Sequence, residues 1–507
     1  MHLLTILAFV CLFWQAEIDE PWRVFPGRGL AWSFALILVY WTSVGIIGRW
    51  ITARVLRLLD RDGTFGADAQ KFHFRATLFL RGLILGGFGF LVLATPWCDR
   101  ISLRGVSAWL QVLSDIVTLL VYVIACALLW FTAYPLEKRM HDTSESADSL
   151  SAAGTTYRLR SYLDANLRHH VLVVAAPMTL ILFGSNVIRA NEDRIVDWIG
   201  SPWGADLALG CVAAIVFVIS PAILRRVWHT EPLPPGPLRL ELEALCGRIG
   251  LRCRDILVWR SDGMMMNAAV MGVVAPLRYV LLSDTLVSTM SPRQIEAVFG
   301  HEAGHVRHRH IEKFLIFAFV GWLAVAGTME IVAWWATKSG GQADVSGSTV
   351  QTIGLGTTGV AWLLVFGWIS RRFEWQADVF GAACAAPEAD RCDQPCARHG
   401  VPGPEKNGES RVCMTGATVF ASALERVAVT NGIPRDEPSW RHSSIAHRVA
   451  HLMALAGDPA EAARFGRITR RISQAIWIAG AVGVLICAWY WTRGIEPAML
   501  RLAVEAR

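Results

Sequence analysis

Residues 291–310 read SPRQIEAVFGHEAGHVRHRH. Ser291 followed three residues later by Gln294 is the signature of a capping box, and Pro292 suits the first helical position. Ile295, Val298 and Phe299 then recur at helical spacing, which predicts a helix running through His301-Glu302-Ala303-Gly304-His305. Two His at i and i+4 project from one helical face, one turn apart. At that spacing two imidazoles can hold one Zn²⁺ at about 2.0–2.1 Å each. Glu302 sits beside the first His, where a carboxylate can act as the base of a hydrolysis. A catalytic zinc needs a third protein ligand and an open position. The best candidate lies in 370–378, SRRFEWQAD. Glu374 and Asp378 share a helical face, so Glu374 can bind the metal and Asp378 can accept the ring N–H of a ligand His. Taken alone, the same pair also reads as a solvated acidic face behind two arginines.

The rest of the chain places this motif in a membrane protein. Of 507 residues 53% are hydrophobic and 18% charged, and Trp outnumbers Tyr by 22 to 7. A soluble domain carries roughly a quarter charged residues, and a Trp excess suits membrane interfaces. Mean hydropathy is +0.39. A disordered chain, a collagen-like chain and an ordinary cytosolic enzyme are excluded. The net charge of +6 is small and spread out, which argues against a nucleic-acid binder. Stretches of roughly 20 apolar residues fall at 30–48, 78–97, 108–134, 171–189, 204–224, 314–336, 352–370 and 473–492. A shorter ninth, 2–15, lacks a basic leader and a cleavage site, and reads as a tilted or shallow span rather than a signal peptide. Loops 49–81 and 134–170 are rich in Arg and Lys, and the sixth span runs out into Arg225 and Arg226, whereas the intervening loops hold two basic residues each. This alternation fits nine spans with a cytoplasmic N-terminus.

The expected organisation is a membrane region at 1–224 and a cytoplasmic part at 225–313 with the HExxH helix. A transmembrane hairpin at 314–371 follows, then a second cytoplasmic part at 372–472 and a final span and tail at 473–507. In the first cytoplasmic part, 238–252 has helical spacing, while 255–259 and 278–282 read as strands. The fold class is therefore a multi-span α-helical membrane protein with a cytoplasmic α+β domain, and a family resemblance of its motifs implies that this domain is a zincin-like metalloprotease. Both ligand helices are expected to continue directly into the hairpin, which sets the zinc roughly 10 Å from the membrane surface at 1.5 Å per residue.

HEAGH followed after a membrane hairpin by EWQAD resembles the M48 zinc metalloproteases, which include the Ste24-type CAAX prenyl endopeptidases and the HtpX-type membrane proteases. Asn267-Ala268 ahead of a strand, and SWRHSSIAHR at 439–448, extend the resemblance over roughly 230–455. In the latter, Ser443 stands where the family usually has Pro, and His447 where Glu often precedes the Arg. The resemblance implies that His301, His305 and Glu374 are zinc ligands, Glu302 is the catalytic base, and Asp378 orients a ligand His. It further implies that Asn267 lines the substrate cleft or an edge strand, that His442 helps bind the oxyanion, and that Arg448 pairs with acidic residues near the site. It also implies a zinc endopeptidase acting on membrane proteins or lipid-anchored peptides, in quality control or processing. CAAX prenyl-protein cleavage is the alternative substrate class, and a signalling receptor with a protease output is the alternative of another kind. The Ala/Arg/Trp-heavy composition points to a bacterial inner membrane, with the site on the cytoplasmic side.

Four Cys and one His, Cys384, Cys392, Cys396, His399 and Cys413, crowd a Gly/Pro-rich insert. They read as a second, structural zinc site, as disulfides or as unlinked thiols. His308 and His310 read as basic juxtamembrane residues more readily than as ligands. Met264, Met265 and Met266 read as core or as the lining of an apolar channel.

Overall fold

A computed structural model describes residues 1–15, 25, 29–62, 67–103, 107–147, 158–200, 204–261, 265–338, 347–387, 392, 412–437 and 443–493. The chain forms two compact units, Met1–Thr230 with Trp259–Gly263, and Glu231–Val258 with Met264–Arg507.

The first unit is helical. Its helices are α1 (His2–Gln15), α2 (Leu30–Asp62), α3 (Ala67–Ala94), α4 (Trp97–Ile101), α5 (Ala108–Ala147), α6 (Leu159–Asn166), α7 (Val173–Arg189), α8 (Glu192–Ile199) and α9 (Gly204–Val227). A π-helical segment, Leu167–Leu172, joins α6 to α7. Phe9, Ile84, Phe88, Tyr122 and Cys126 meet in its core. Cys126 is thus a small core residue, as its apolar surroundings in the sequence imply. Leu38, Val39 and Ile46 on α2 and Leu78 and Phe79 on α3 point outward. Apolar groups face both the interior and the surroundings, as lipid-exposed helices require.

The second unit begins with β1 (Thr230–Pro232), α10 (Pro237–Ile249), β2 (Asp255–Trp259), β3 (Ala268–Met271) and β4 (Tyr279–Ser283). The strands lie in the order β1-β2-β4-β3. Every residue of β4 is buried, which its unbroken apolar run dictates. β3 is an edge strand, antiparallel to β4 with Ala269 opposite Leu281. Gly250, at φ +68°, ends α10. Helices α11 (Asp284–Thr289), α12 (Pro292–Arg307), α13 (His310–Lys338), α14 (Gly347–Cys384), α15 (Met414–Thr430), α16 (Ile445–Gly457) and α17 (Pro459–Arg493) follow. The expected capping box at Ser291 and Gln294 is present. One core joins Val280 and Leu282 to Phe299 of α12, and another joins Phe420 and Leu424 to Leu452 and Leu455. Burying a side chain such as Phe299 contributes about 1.5–3 kcal/mol.

Among the described residues seven helical stretches are long and apolar enough to cross a membrane, and His2–Phe13 is a shorter apolar helix. Five of the seven lie in the first unit; α13 and α17 supply the others. α14 carries the expected 352–370 stretch, and its Leu363, Leu364, Val365 and Trp368 are exposed.

The expectation that both ligand helices run straight into the hairpin is half corrected. α14 is unbroken from Gly347 to Cys384. The motif helix instead stops at Arg307, Arg309 adopts φ +52°, and α13 starts afresh at His310. Left-handed backbone at a residue with a Cβ terminates a helix.

Candidate metal centre and active site

α12 and α14 approach closely because small residues face each other. A Cβ on Gly300 would meet Cys384 Cβ at 2.6 Å, and one on Gly304 would meet Ala377 Cα at 3.2 Å. A Cβ on Gly381 would meet the Ala297 carbonyl oxygen at 2.7 Å. That contact brings the HEAGH face of α12 against Glu374. Gly381→Val must therefore part the two helices. Overpacking costs about 1–3 kcal/mol, and both the thermal midpoint and bound metal should fall. A variant with normal metal content would show that the close approach is dispensable.

His301, His305 and Glu374 converge so that one donor atom from each lies within 4.8 Å of the others, a group able to hold a metal ion. His305 Nε2 is 3.3 Å from His301 Nε2. Glu374 oxygens lie 3.7 Å from His301 Nε2 and 3.8 Å from His305 Nε2. Tetrahedral ligands at zinc distances are separated by about 3.3 Å. The chemistry of the set, two neutral nitrogens and one carboxylate, and its spacing therefore fit zinc.

Each imidazole is held from behind. His301 Nδ1 lies 2.9 Å from Asp378 Oδ1. Asp378 accepts in turn from Arg448, Nε to Oδ2 at 3.0 Å and the terminal nitrogen to Oδ1 at 2.5 Å. Burial alone would push the Asp378 carboxyl up, but the Arg448 guanidinium and His301 outweigh it and hold it below the ordinary carboxylate range. Burial likewise works against charge on His301, and Asp378 overcomes it, raising the imidazole.

His305 is held by His310, a residue that no motif singled out. Its Nδ1 is 2.9 Å from His310 Nδ1, and His310 Nε2 is 3.1 Å from Gln376 Oε1. His310 is fully buried and stacks on Phe373, with centroids 4.3 Å apart. The chain has one consistent set of tautomers. An amide oxygen only accepts, so His310 carries its proton on Nε2 and accepts at Nδ1. His305 must then donate from Nδ1, which leaves the Nε2 lone pair facing Glu374. Gln376→Leu removes the final acceptor. A partner of this kind is worth roughly 10–100-fold in metal affinity, and a chelator competition titration should read that loss.

Glu302 points to the same region from α12. Burial pushes its carboxyl up to about 7, Glu374 adds to the rise, and His301 and the Val270 backbone N–H oppose it. A bound cation would pull it down again. Val270 belongs to edge strand β3. Ser283 donates to the Asn267 carbonyl at 2.9 Å. By the alternation of an antiparallel ladder, Ala269 and Met271 then face β4, and Ala268 and Val270 face the open edge.

Asn267 is exposed at the start of β3, and its Oδ1 accepts from the Ala268 N–H at 2.9 Å. Arg448 is buried against Asp378. His442, Cys396, His399 and Met264 lie outside the described residues. Ser444 caps α16, its hydroxyl accepting from the His447 backbone N–H, and the His447 ring stacks on Trp375. Met266 is fully buried in the core. Cys392 Sγ lies 3.7 Å from Cys413 Sγ, a contact between thiols rather than a disulfide.

Residues 240–455 match the family model of peptidase family M48. A protease HtpX homolog of Aeropyrum pernix is 28% identical over 182 residues, 35% of this chain and 56% of the relative. The CAAX prenyl protease 1 of Saccharomyces cerevisiae is 31% identical over 121 residues, 23% of this chain and 26% of the relative. The chain thus spans about half the length, or less, of these curated relatives. The crystal structure of S. mikatae Ste24p aligns over 83% of this chain and 99% of its own, at 16% identity and a TM-score of 0.36. The match takes in all of α12 and the part of α14 that carries Glu374, and residues 240–455 are accordingly similar to peptidase family M48, within an integral, multi-pass membrane protein.

Proposed function

We propose that the chain is a zinc-dependent endopeptidase that cleaves membrane-associated proteins or peptides, with His301, His305 and Glu374 as the metal ligands. The observation that carries this is the convergence of those three groups, Glu374 on the long apolar helix α14 and the two histidines on α12, with Glu302 beside them. Zinc held there supplies positive charge to a carbonyl oxygen and acidifies water. Glu302 accepts the proton of the attacking water and passes it to the leaving amine. Asp378 and His310 keep the two imidazoles in the tautomer that offers Nε2. His442 assists at the oxyanion, by the resemblance alone. The open edge of β3 is suited to an extended peptide, which would add as a further strand beside Glu302; Asn267 stands at its head. Hydrolysis needs no second ion at Cys384, Cys392, Cys396 and Cys413.

The membrane-proximal site supports substrates that are themselves in or on the bilayer. Ser370, at the end of the apolar stretch of α14, is four residues from Glu374, about 6 Å along the helix. Arg- and Lys-rich loops support a cytoplasmic site, and the composition supports a bacterial inner membrane. Turnover of membrane proteins is favoured over prenyl-peptide trimming on the same composition. The test is Glu374→Ala in the full chain reconstituted in lipid. Metal content and cleavage of a membrane-protein substrate should be lost together, and a prenylated peptide serves as the competing substrate. Full zinc in that variant would put the third ligand elsewhere.

A further inference from the structure

Three more histidines converge within the first unit. His2, at the start of α1, meets His169 and His170 of the π-helical segment, and one ring nitrogen from each lies within 4.8 Å of the other two. The His2 ring centroid is 4.9 Å from that of His169 and 5.4 Å from that of His170. Nothing in the peptidase chemistry uses them.

Their hydrogen bonding is that of waiting ligands. His2 Nε2 is 2.6 Å from the His169 carbonyl oxygen. A carbonyl only accepts, so Nε2 holds the proton and His2 Nδ1 is left with its lone pair. Metal-ligating His almost always donates its other N–H in this way. Nδ1 of His169 and Nδ1 of His170 are both buried with no hydrogen-bond partner among the described residues. Buried polar atoms are normally satisfied, and two orphans side by side ask for an explanation.

The backbone contributes a second, independent sign. His169 and His170 lie in Leu167–Leu172, a π-helical turn within an otherwise α-helical rod. Such turns cost hydrogen-bond geometry and occur often at functional sites. A wider turn reduces the angle between successive side chains, so two neighbours can aim at one point. Trp259 stacks on His169 at 5.5 Å and Trp130 lies 6.1 Å from His170, which gives the cluster apolar walls.

We propose that His2, His169 and His170 bind a transition-metal ion of the zinc or copper class, which clips the start of α1 to the π segment. Three imidazoles suit those ions and not calcium or magnesium. The clip joins residues 167 positions apart in the chain, and binding to the folded form alone stabilises it.

The test uses the full chain in lipid, stripped of metal and then given Zn²⁺ or, under reductant, Cu⁺. Histidine modification by diethyl pyrocarbonate, read peptide by peptide in a mass spectrometer, should fall at least tenfold at His2, His169 and His170 with one of the two ions. The ion that protects is the ligand. His447, outside both clusters, is the unprotected control. In parallel, His2→Gln and His170→Gln should each lose one bound ion per chain and the metal-induced rise in thermal midpoint. A Glu374→Ala chain should keep that ion, so this site and the peptidase site fail separately. Absence of protection by either ion in the unsubstituted protein would overturn the proposal even if the variants misfold, and unchanged stoichiometry in well-folded variants would overturn it as well.

Discussion

Glu302→Gln will keep its metal and lose its cleavage. Glutamine has the volume and polarity of glutamate, and its side-chain oxygen can still accept from the Val270 N–H that the carboxylate uses. The three proposed ligands are His301, His305 and Glu374, and Glu302 is not among them. The amide cannot take up a proton, so the loss should match that of a general base, about 10²–10⁴-fold. The measurement is elemental analysis for zinc beside the cleavage rate of a membrane substrate. Activity within tenfold of the parent would mean that another group is the base. Loss of zinc would mean that Glu302 itself binds the metal.

Arg448→Ala should cause the largest loss of stability of any single change at the site. The Arg448 and Asp378 side chains are 10% and 3% exposed and are joined by two hydrogen bonds. Removing one partner of a buried ion pair leaves the other charge uncompensated, at a cost of about 3–5 kcal/mol. Asp378 would also lose the positive charge that favours its ionised form, and with it the charge that strengthens its hydrogen bond from His301. Arg448→Lys keeps the charge but not the forked geometry, and should fall between. Replacing both partners, as Asp378→Asn with Arg448→Leu, should recover part of the stability lost by Arg448→Ala but not the activity. Denaturant or thermal unfolding reads the first quantity and peptide cleavage the second. Equal stability of the single and double variants would show that the pair is not coupled.

The ligand pair on α12 and the carboxylates on α14 were legible because both obey helical phase. His301 and His305, and Glu374 and Asp378, are each one turn apart, and the cap at Ser291 starts the first helix in a fixed register. The strands at 255–259 and 279–283 were legible for a similar reason, being short apolar runs between turn residues. His310 and Gln376 were not. Gln376 is two residues from Glu374, so helical phase turns it away from the ligand face. His310 reaches His305 only because the helix breaks at Arg309, and RHRH contains neither Gly nor Pro to announce a break. The convergence of His2 with His169 and His170 was equally hidden, since nothing local in the sequence links the start of the chain to a turn 167 residues on.

The unequal ends of the α13–α14 hairpin divide the site mechanically. α14 is a stiff rod from Gly347 to Cys384, so any change in its inclination is delivered undiminished to Glu374. The two proposed ligand histidines sit beyond a joint at Arg309, yet α12 stays packed on α14 through Gly300, Gly304 and Gly381, and His305 stays paired with His310 of α13. A thinner or thicker bilayer changes the preferred inclination of a spanning helix, at fractions of a kcal/mol per Å of mismatch. Such a change would load the α12–α14 contact that brings the three groups together. Zinc affinity and cleavage should accordingly vary together with lipid chain length, and replacing Arg371 and Arg372 by glycine, which keeps the helical phase, should blunt that dependence.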